Sequence, residues 1–156
     1  MAKMAHAIRK GIRKQKFKYA KTDGKAYHWT YVLRATDPAV ADKIARGMEK
    51  AVKCGKIRYS NAKGKNAKLF DAVKKYGFNC SKLRKKTTTN CCNLVSVACR
   101  YAGIPTPRKS SARTLPKKWA KYGFLVIPYE KGMVLQRGDI LDASHKPKVH
   151  TAVYLG

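Results

Sequence analysis

Two cysteines stand side by side, Cys91 and Cys92, behind the small polar run Thr87-Thr88-Thr89-Asn90. Beyond them Leu94, Val95, Ala98, Tyr101 and Ala102 recur at helical spacing as far as Gly103. This pattern predicts a helix of about three turns capped by Asn90 or Thr89. Cys91 falls in its first turn, where unpaired N–H groups and the helix dipole favour a thiolate over a thiol. Nucleophilic catalysis needs such a sulfur and a base close by. Adjacent helical residues point about 100° apart, so one of the two thiols faces a packed sheet and the other does not.

The remaining cysteines, Cys54, Cys80 and Cys99, read as small buried hydrophobes. Five cysteines without a C-x-x-C pair make neither a disulfide framework nor a zinc site. Four scattered histidines argue against a metal centre as well, and no cofactor is expected. His150 lies in the alternating run Val149–Leu155, which predicts a strand. His145, in Ser144-His145-Lys146-Pro147, has a hairpin-loop setting and is expected to be exposed. His28 sits in an aromatic run and is expected to pack. His6 has no role legible from its local spacing. Trp29 and Trp119 are most simply packed aromatics.

The elements that must position these groups are partly visible. Residues 1–25 are basic and weakly patterned, with Gly11 and Asp23-Gly24 as turn signals. Tyr27–Leu33 reads as a strand. Asp37-Pro38 opens a helix with apolar positions Val40, Ile44, Met48, Ala51 and Val52, closed by Gly55. A polar loop surrounds Tyr59, a second helix runs from Asn66 to Tyr76, and a further one covers Ser110–Tyr122. Phe124–Ile127, Gly138–Leu141 and Val149–Leu155 then read as strands. Helices followed by a small antiparallel sheet make an α+β domain.

The chain has 156 residues, with 36 Lys or Arg against 8 Asp or Glu, a formal charge of +28. Its length fits one domain. Hydrophobic residues at 44 % and aromatics at 10 % exclude a disordered basic tail. No apolar run reaches the roughly 20 residues of a membrane span, and the amino terminus lacks the apolar core of a signal peptide. Such a charge calls for a polyanion, whether nucleic acid, an anionic membrane or a bacterial wall polymer. The basic residues are spread along the chain, and no zinc-finger, zipper or aromatic RNA-binding signature accompanies them.

Three motifs in order resemble one family. Asn90-Cys91-Cys92-Asn93-Leu94-Val95 is similar to the Asp-Cys-Ser-x-Leu/Phe-Val motif of NlpC-like and CHAP-like cell-wall cysteine peptidases and amidases. Arg137-Gly138-Asp139-Ile140-Leu141 resembles their Pro-Gly-Asp-Leu strand entry, and His150-Thr151-Ala152-Val153-Tyr154-Leu155-Gly156 their His-Val-Gly-Ile-Tyr-Leu-Gly strand. Ala2–Ala7 and Pro38–Tyr59 resemble amino-terminal parts of amidase-like endolysins of phages and mobile elements of Gram-positive bacteria.

The resemblance implies a papain-like (NlpC-like) fold, with the Cys-bearing helix packed on an antiparallel sheet that carries the His. Residues 58–156 would form the core, and residues 1–57 a basic extension with a strand and a helix. Cys91 would be the nucleophile, with Cys92 as the alternative, and His150 the general base, with Tyr59, Asn90 and Cys92 at substrate-binding positions. The substrate class would be peptidoglycan, reached through anionic wall polymers by a monomer. The chain would be made in the bacterial cytoplasm without a signal peptide and act on the wall. Two departures stand out. Asn90 and Cys92 replace an Asp and a Ser that help bind a free stem-peptide amine in some relatives. The third, base-orienting residue is expected on a strand after the His strand, and the chain stops at Gly156. Truncation, an unexpected residue in that role, or a weak enzyme would each account for this, and Asp142 is one candidate. A basic nucleic-acid-binding protein and a non-catalytic wall- or membrane-binding relative remain as alternatives.

Overall fold

The computed structural model describes residues 1–17, 21–22, 25–26, 28–145 and 149–156. Its centre is a six-stranded antiparallel sheet. Strands β1 (Lys3–Ile8) and β2 (Gly11–Lys16) form a hairpin paired from Lys3↔Lys16 to Ile8↔Gly11. Short strands β3 (Lys21–Thr22) and β4 (Lys25–Ala26) pair with each other. Then follow β5 (Tyr31–Ala35), α1 (Pro38–Cys54), β6 (Ile57–Tyr59) and α2 (Lys68–Lys74). A single 3-10 turn (Cys80–Lys82) leads to β7 (Thr87–Thr89) and α3 (Cys91–Tyr101). The chain ends with α4 (Leu115–Trp119), β8 (Phe124–Pro128), β9 (Ile140–Ala143) and β10 (His150–Tyr154). In space the sheet runs β2-β1-β10-β9-β5-β8, and β6 and β7 make a separate parallel pair.

The fold is α+β, but its amino-terminal half is not simply helical. Three of the six sheet strands, β1, β2 and β5, precede or border the first helix. The β1–β2 hairpin escapes the sequence because Lys, Arg and Ala dominate it, so neither β-branched enrichment nor clean alternation marks it. The aromatic strand starts later than its composition predicts, at Tyr31; Tyr27 lies outside the described residues, as do Asp23, Gly24, Lys146 and Pro147. The Ser110–Tyr122 helix shrinks to Leu115–Trp119 with a 3-10 turn, Ala120–Tyr122, behind it. Pro116 explains this: lacking an N–H, it is tolerated in the first helical turn and not in an interior.

The two helices that matter most keep their local signals. Asp37 Oδ1 accepts from the Ala39 N–H at 2.9 Å, Pro38 opens α1, and Gly55 closes it in the left-handed region at φ +71°. Ile44, Ala45, Met48 and Ala51 bury their side chains in one cluster with Leu94, Val95 and Ala98 of α3 and with Ala5, Ala7, Leu33, Ile140 and Val153 of the sheet. The opposite sheet face holds Met4, Val32, Leu141, Ala143 and Ala152 around Trp29. Alternate residues of each strand thus serve different cores.

Two glycines set how close these layers come. A Cβ on Gly47 would stand 3.1 Å from the Cα of Ala98, so α1 and α3 pack backbone to backbone there. A Cβ on Gly138 would collide with the main chain of Ala41, and this glycine has φ +92°. Beside it Asp139 is almost wholly buried, accepts from Arg34 Nε (2.9 Å) and Nη2 (2.8 Å), and accepts the Gln136 N–H at 2.8 Å. It holds the turn that launches β9.

Candidate active site

The start of α3 is held by asparagines. Asn90 Oδ1 caps the helix by accepting from the Asn93 N–H at 3.0 Å, and Asn90 Nδ2 donates to Asn61 Oδ1 at 3.1 Å. Asn93 is buried; it donates to the Asn66 carbonyl (2.9 Å) and accepts from the Ser110 N–H (2.8 Å). The parallel pairing of Tyr59 with Thr89, and the Ser60 N–H to Thr89 carbonyl bond (2.9 Å), bring Tyr59 to the same place. A helix N-terminus so fixed presents Cys91 in one direction.

Cys91 is half-buried and faces β10. A hydrogen bond from the Cys92 thiol holds its pKa well below the ordinary thiol value, against the opposing effect of burial. The hydrogen bond and charge of His150, and the main-chain N–H of Thr151, add to this. Cys92 is fully buried, with Sγ 2.7 Å from the Ser110 carbonyl oxygen. Its own hydrogen bond to Cys91 and its burial push its pKa well up, so it stays a thiol. Of the two neighbours, Cys91 is the one whose thiol is acidified.

His150 is buried, and its Nε2 lies 2.8 Å from Nδ1 of His6. The two rings meet edge to face at 5.0 Å, and Trp29 lies 6.1 Å from His150 on another side. The His150 side chain thus engages His6 through Nε2 and also hydrogen-bonds Cys91. His6 is fully buried on β1, whose pairing with β10 is recorded at Met4↔Tyr154 and Ala5↔Val153. The strand beside the His strand is therefore the amino-terminal β1, not one that follows β10. Asp142 does not take the orienting position; it lies on β9, opposite Thr151, and Thr151 Oγ1 donates to its Oδ1 at 3.0 Å.

The five residues singled out from the sequence, Cys91, His150, Tyr59, Asn90 and Cys92, all gather at this one place. Burial raises the pKa of the Tyr59 phenol, and the neighbouring Cys91 adds to this. His6 is the residue that sequence reasoning missed. Its only signal is a polar ring inside the apolar run Met4-Ala5-His6-Ala7-Ile8. His145 and His28 both lie at the surface, the latter ahead of the start of β5. Trp29 and Trp119 are both buried. Among the described residues, no three His, Cys, Asp or Glu side chains are grouped to hold a metal ion.

The geometry defines an α+β domain in which a cysteine at a helix start meets an imidazole backed by a second imidazole. A family model described as endolysin-like domain matches residues 12–155, and the chain belongs to that family. No curated protein matches it. No solved structure matches it either. An endolysin-like domain points to hydrolysis of the bacterial cell wall in phage lysis. No described helix is long and apolar enough to cross a membrane.

Proposed function

We propose that this domain cleaves an amide bond of peptidoglycan through Cys91, with His150 as general base and His6 orienting it in a papain-like arrangement. The carrying observation is the depressed Cys91 thiol facing His150, whose far nitrogen is 2.8 Å from His6. Sγ of Cys91 attacks the amide carbonyl carbon, and the C–N bond breaks as His150 protonates the leaving amine. Water then attacks the thioester, gives a proton to His150, and releases the carboxylate product with the thiolate restored. The main-chain N–H of Cys91, at the helix start, is positioned to stabilise the oxyanion. His6 holds the His150 ring in one orientation, which is the work of the third member of such a triad.

Tyr59 and Asn90 would stand on the substrate side of Cys91, while Cys92 is buried against the Ser110 carbonyl. Asn90 spends its carbonyl on the helix cap and its amide on Asn61, and it has no charge with which to bind an ammonium. This favours a muramoyl-L-alanine amide or another bond without a free amine beside it. The charge supports delivery to an anionic wall. Several acidic side chains are already paired within the chain: Asp42 and Glu49 with Arg137, Asp71 with Arg108 and Asp139 with Arg34. The surplus cations are left to attract wall polyanions, which raises local concentration without setting the chemistry.

The test is digestion of purified Gram-positive walls, followed by mass spectrometry of the fragments. New amine and carboxylate ends should appear, and Cys91→Ala should abolish them. Hydrolysis that persists in Cys91→Ala would overturn the assignment. Tight, salt-sensitive nucleic-acid binding with no wall cleavage would favour the basic binding protein instead.

A further inference from the structure

Two groups of β10 act on the sulfur of Cys91, and the second has no part in the mechanism proposed above. The first is the side chain of His150, the second the main-chain N–H of Thr151. The Thr30 N–H donates to the Asp142 carbonyl at 2.8 Å, so the main chain of Asp142 is turned toward β5. Its cross-strand partner Thr151 consequently directs its own N–H away from β9, toward Cys91. In such a non-hydrogen-bonded pair the side chains are close, and Thr151 Oγ1 reaches Asp142 Oδ1. Asp142 is wholly buried, and its Oδ2 has no hydrogen-bond partner.

A carboxylate could not rest there cheaply, because a buried charge needs a partner. The groups around it are Cys91 and Cys92 from α3, Thr151 and the adjacent His150 from β10, and Tyr31 across from it on β5. None of them is a fixed cation. Burial, and secondarily the negative charge of Cys91, push its pKa up to about 8.

We propose that Asp142 is a positioning residue for Cys91: a buried, protonated carboxyl that holds Thr151 against the sulfur and leaves the thiolate as the single negative charge of the pocket. Ionisation would put a second negative charge beside the sulfur and the developing oxyanion, and activity would fall. The proposal rests on Cys91 being the nucleophile, not on peptidoglycan being the substrate.

Asp142→Asn keeps the acceptor for Thr151 and removes the proton equilibrium. In the wild type, wall cleavage should decline above about pH 8, and the rate of Cys91 alkylation by iodoacetamide should show an inflection there. In Asp142→Asn both features should vanish or move upward by about one pH unit or more. A group whose folded-state pKa is raised binds more protons when folded, so wild-type stability should fall as pH rises from about 4 to about 8. The thermal midpoint of Asp142→Asn should lack that decline. If the variant does not fold, the wild type alone still decides. Its infrared spectrum should show a protonated carboxyl at pH 7 that is gone by pH 9 in proportion to the alkylation inflection. Identical pH profiles in the two proteins, or no protonated carboxyl at pH 7, would overturn the proposal. An alkylation inflection that responds to Asp142→Asn without any wall cleavage would leave it standing and overturn the peptidoglycan reading.

Discussion

Helix α3 carries three of the five cysteines, and its two ends treat them in opposite ways. At the amino-terminal end Cys91 has the helix start behind it, a hydrogen-bonding thiol beside it and an imidazole in front, and its thiol is strongly acidified. Two turns on, Cys99 is fully buried among apolar side chains, and burial alone pushes its thiol far above the ordinary value. Cys80, in the 3-10 turn, is pushed up to about 12, again by burial. The same residue type is acidified or left an inert filler according to which polar groups the fold brings to it. Helix position alone is insufficient, because Cys92 is one residue away and is pushed the other way.

The contrast can be tested by reactivity. At pH 6, where a free thiol with its ordinary pKa is mostly protonated, iodoacetamide should modify Cys91 at least about 100-fold faster than Cys80 or Cys99. Peptide mapping of the alkylated folded protein reads this directly, and comparable labelling of Cys99 would erase the distinction. A smaller effect is expected when the support behind the imidazole is removed. His6→Ala should lower kcat by about 10- to 100-fold with little change in KM, because it loosens the base rather than the substrate. His6→Gln, which can still hydrogen-bond His150, should recover part of the loss. An unchanged kcat in His6→Ala would show that the Cys91–His150 pair needs no third residue. The smallest effect belongs to the surface. Raising salt from low ionic strength to about 0.5 M should slow wall lysis several-fold and leave cleavage of a small soluble muropeptide nearly unchanged, since exposed charges are screened within about 8 Å already at physiological salt. Equal slowing of both substrates would place the charge effect inside the site.

The sequence made much of one half of the site legible. Asp37-Pro38 and Gly55 bracket α1 to the residue, and Asn90 marks the start of α3 with Cys91 directly behind it. Both depend on capping chemistry between residues two or three apart, which a linear chain displays. The order of Cys91, Asp139 and His150 further resembles that of cell-wall hydrolases, and Asp139 holds the turn into β9. The strands of the amino-terminal hairpin are another matter. Lys3–Ile8 has weak β-forming composition, and it becomes a strand because β2 and β10 pair with its two edges.

Local chemistry therefore determined the helix ends, the placement of Cys91 at one of them and the excess of positive charge. Only the tertiary structure decided which residue stands behind His150 and which stands behind Thr151. His6 belongs to the first strand and His150 to the last, and no spacing rule connects them. They meet because β1 is inserted beside β10, in the sheet position where a following strand was expected. Asp142 reads in the sequence as a polar residue near the base, and burial turns it into a carboxyl that favours its proton. Contacts of this kind depend on strand order and on the exclusion of water. Both are properties of the assembled sheet.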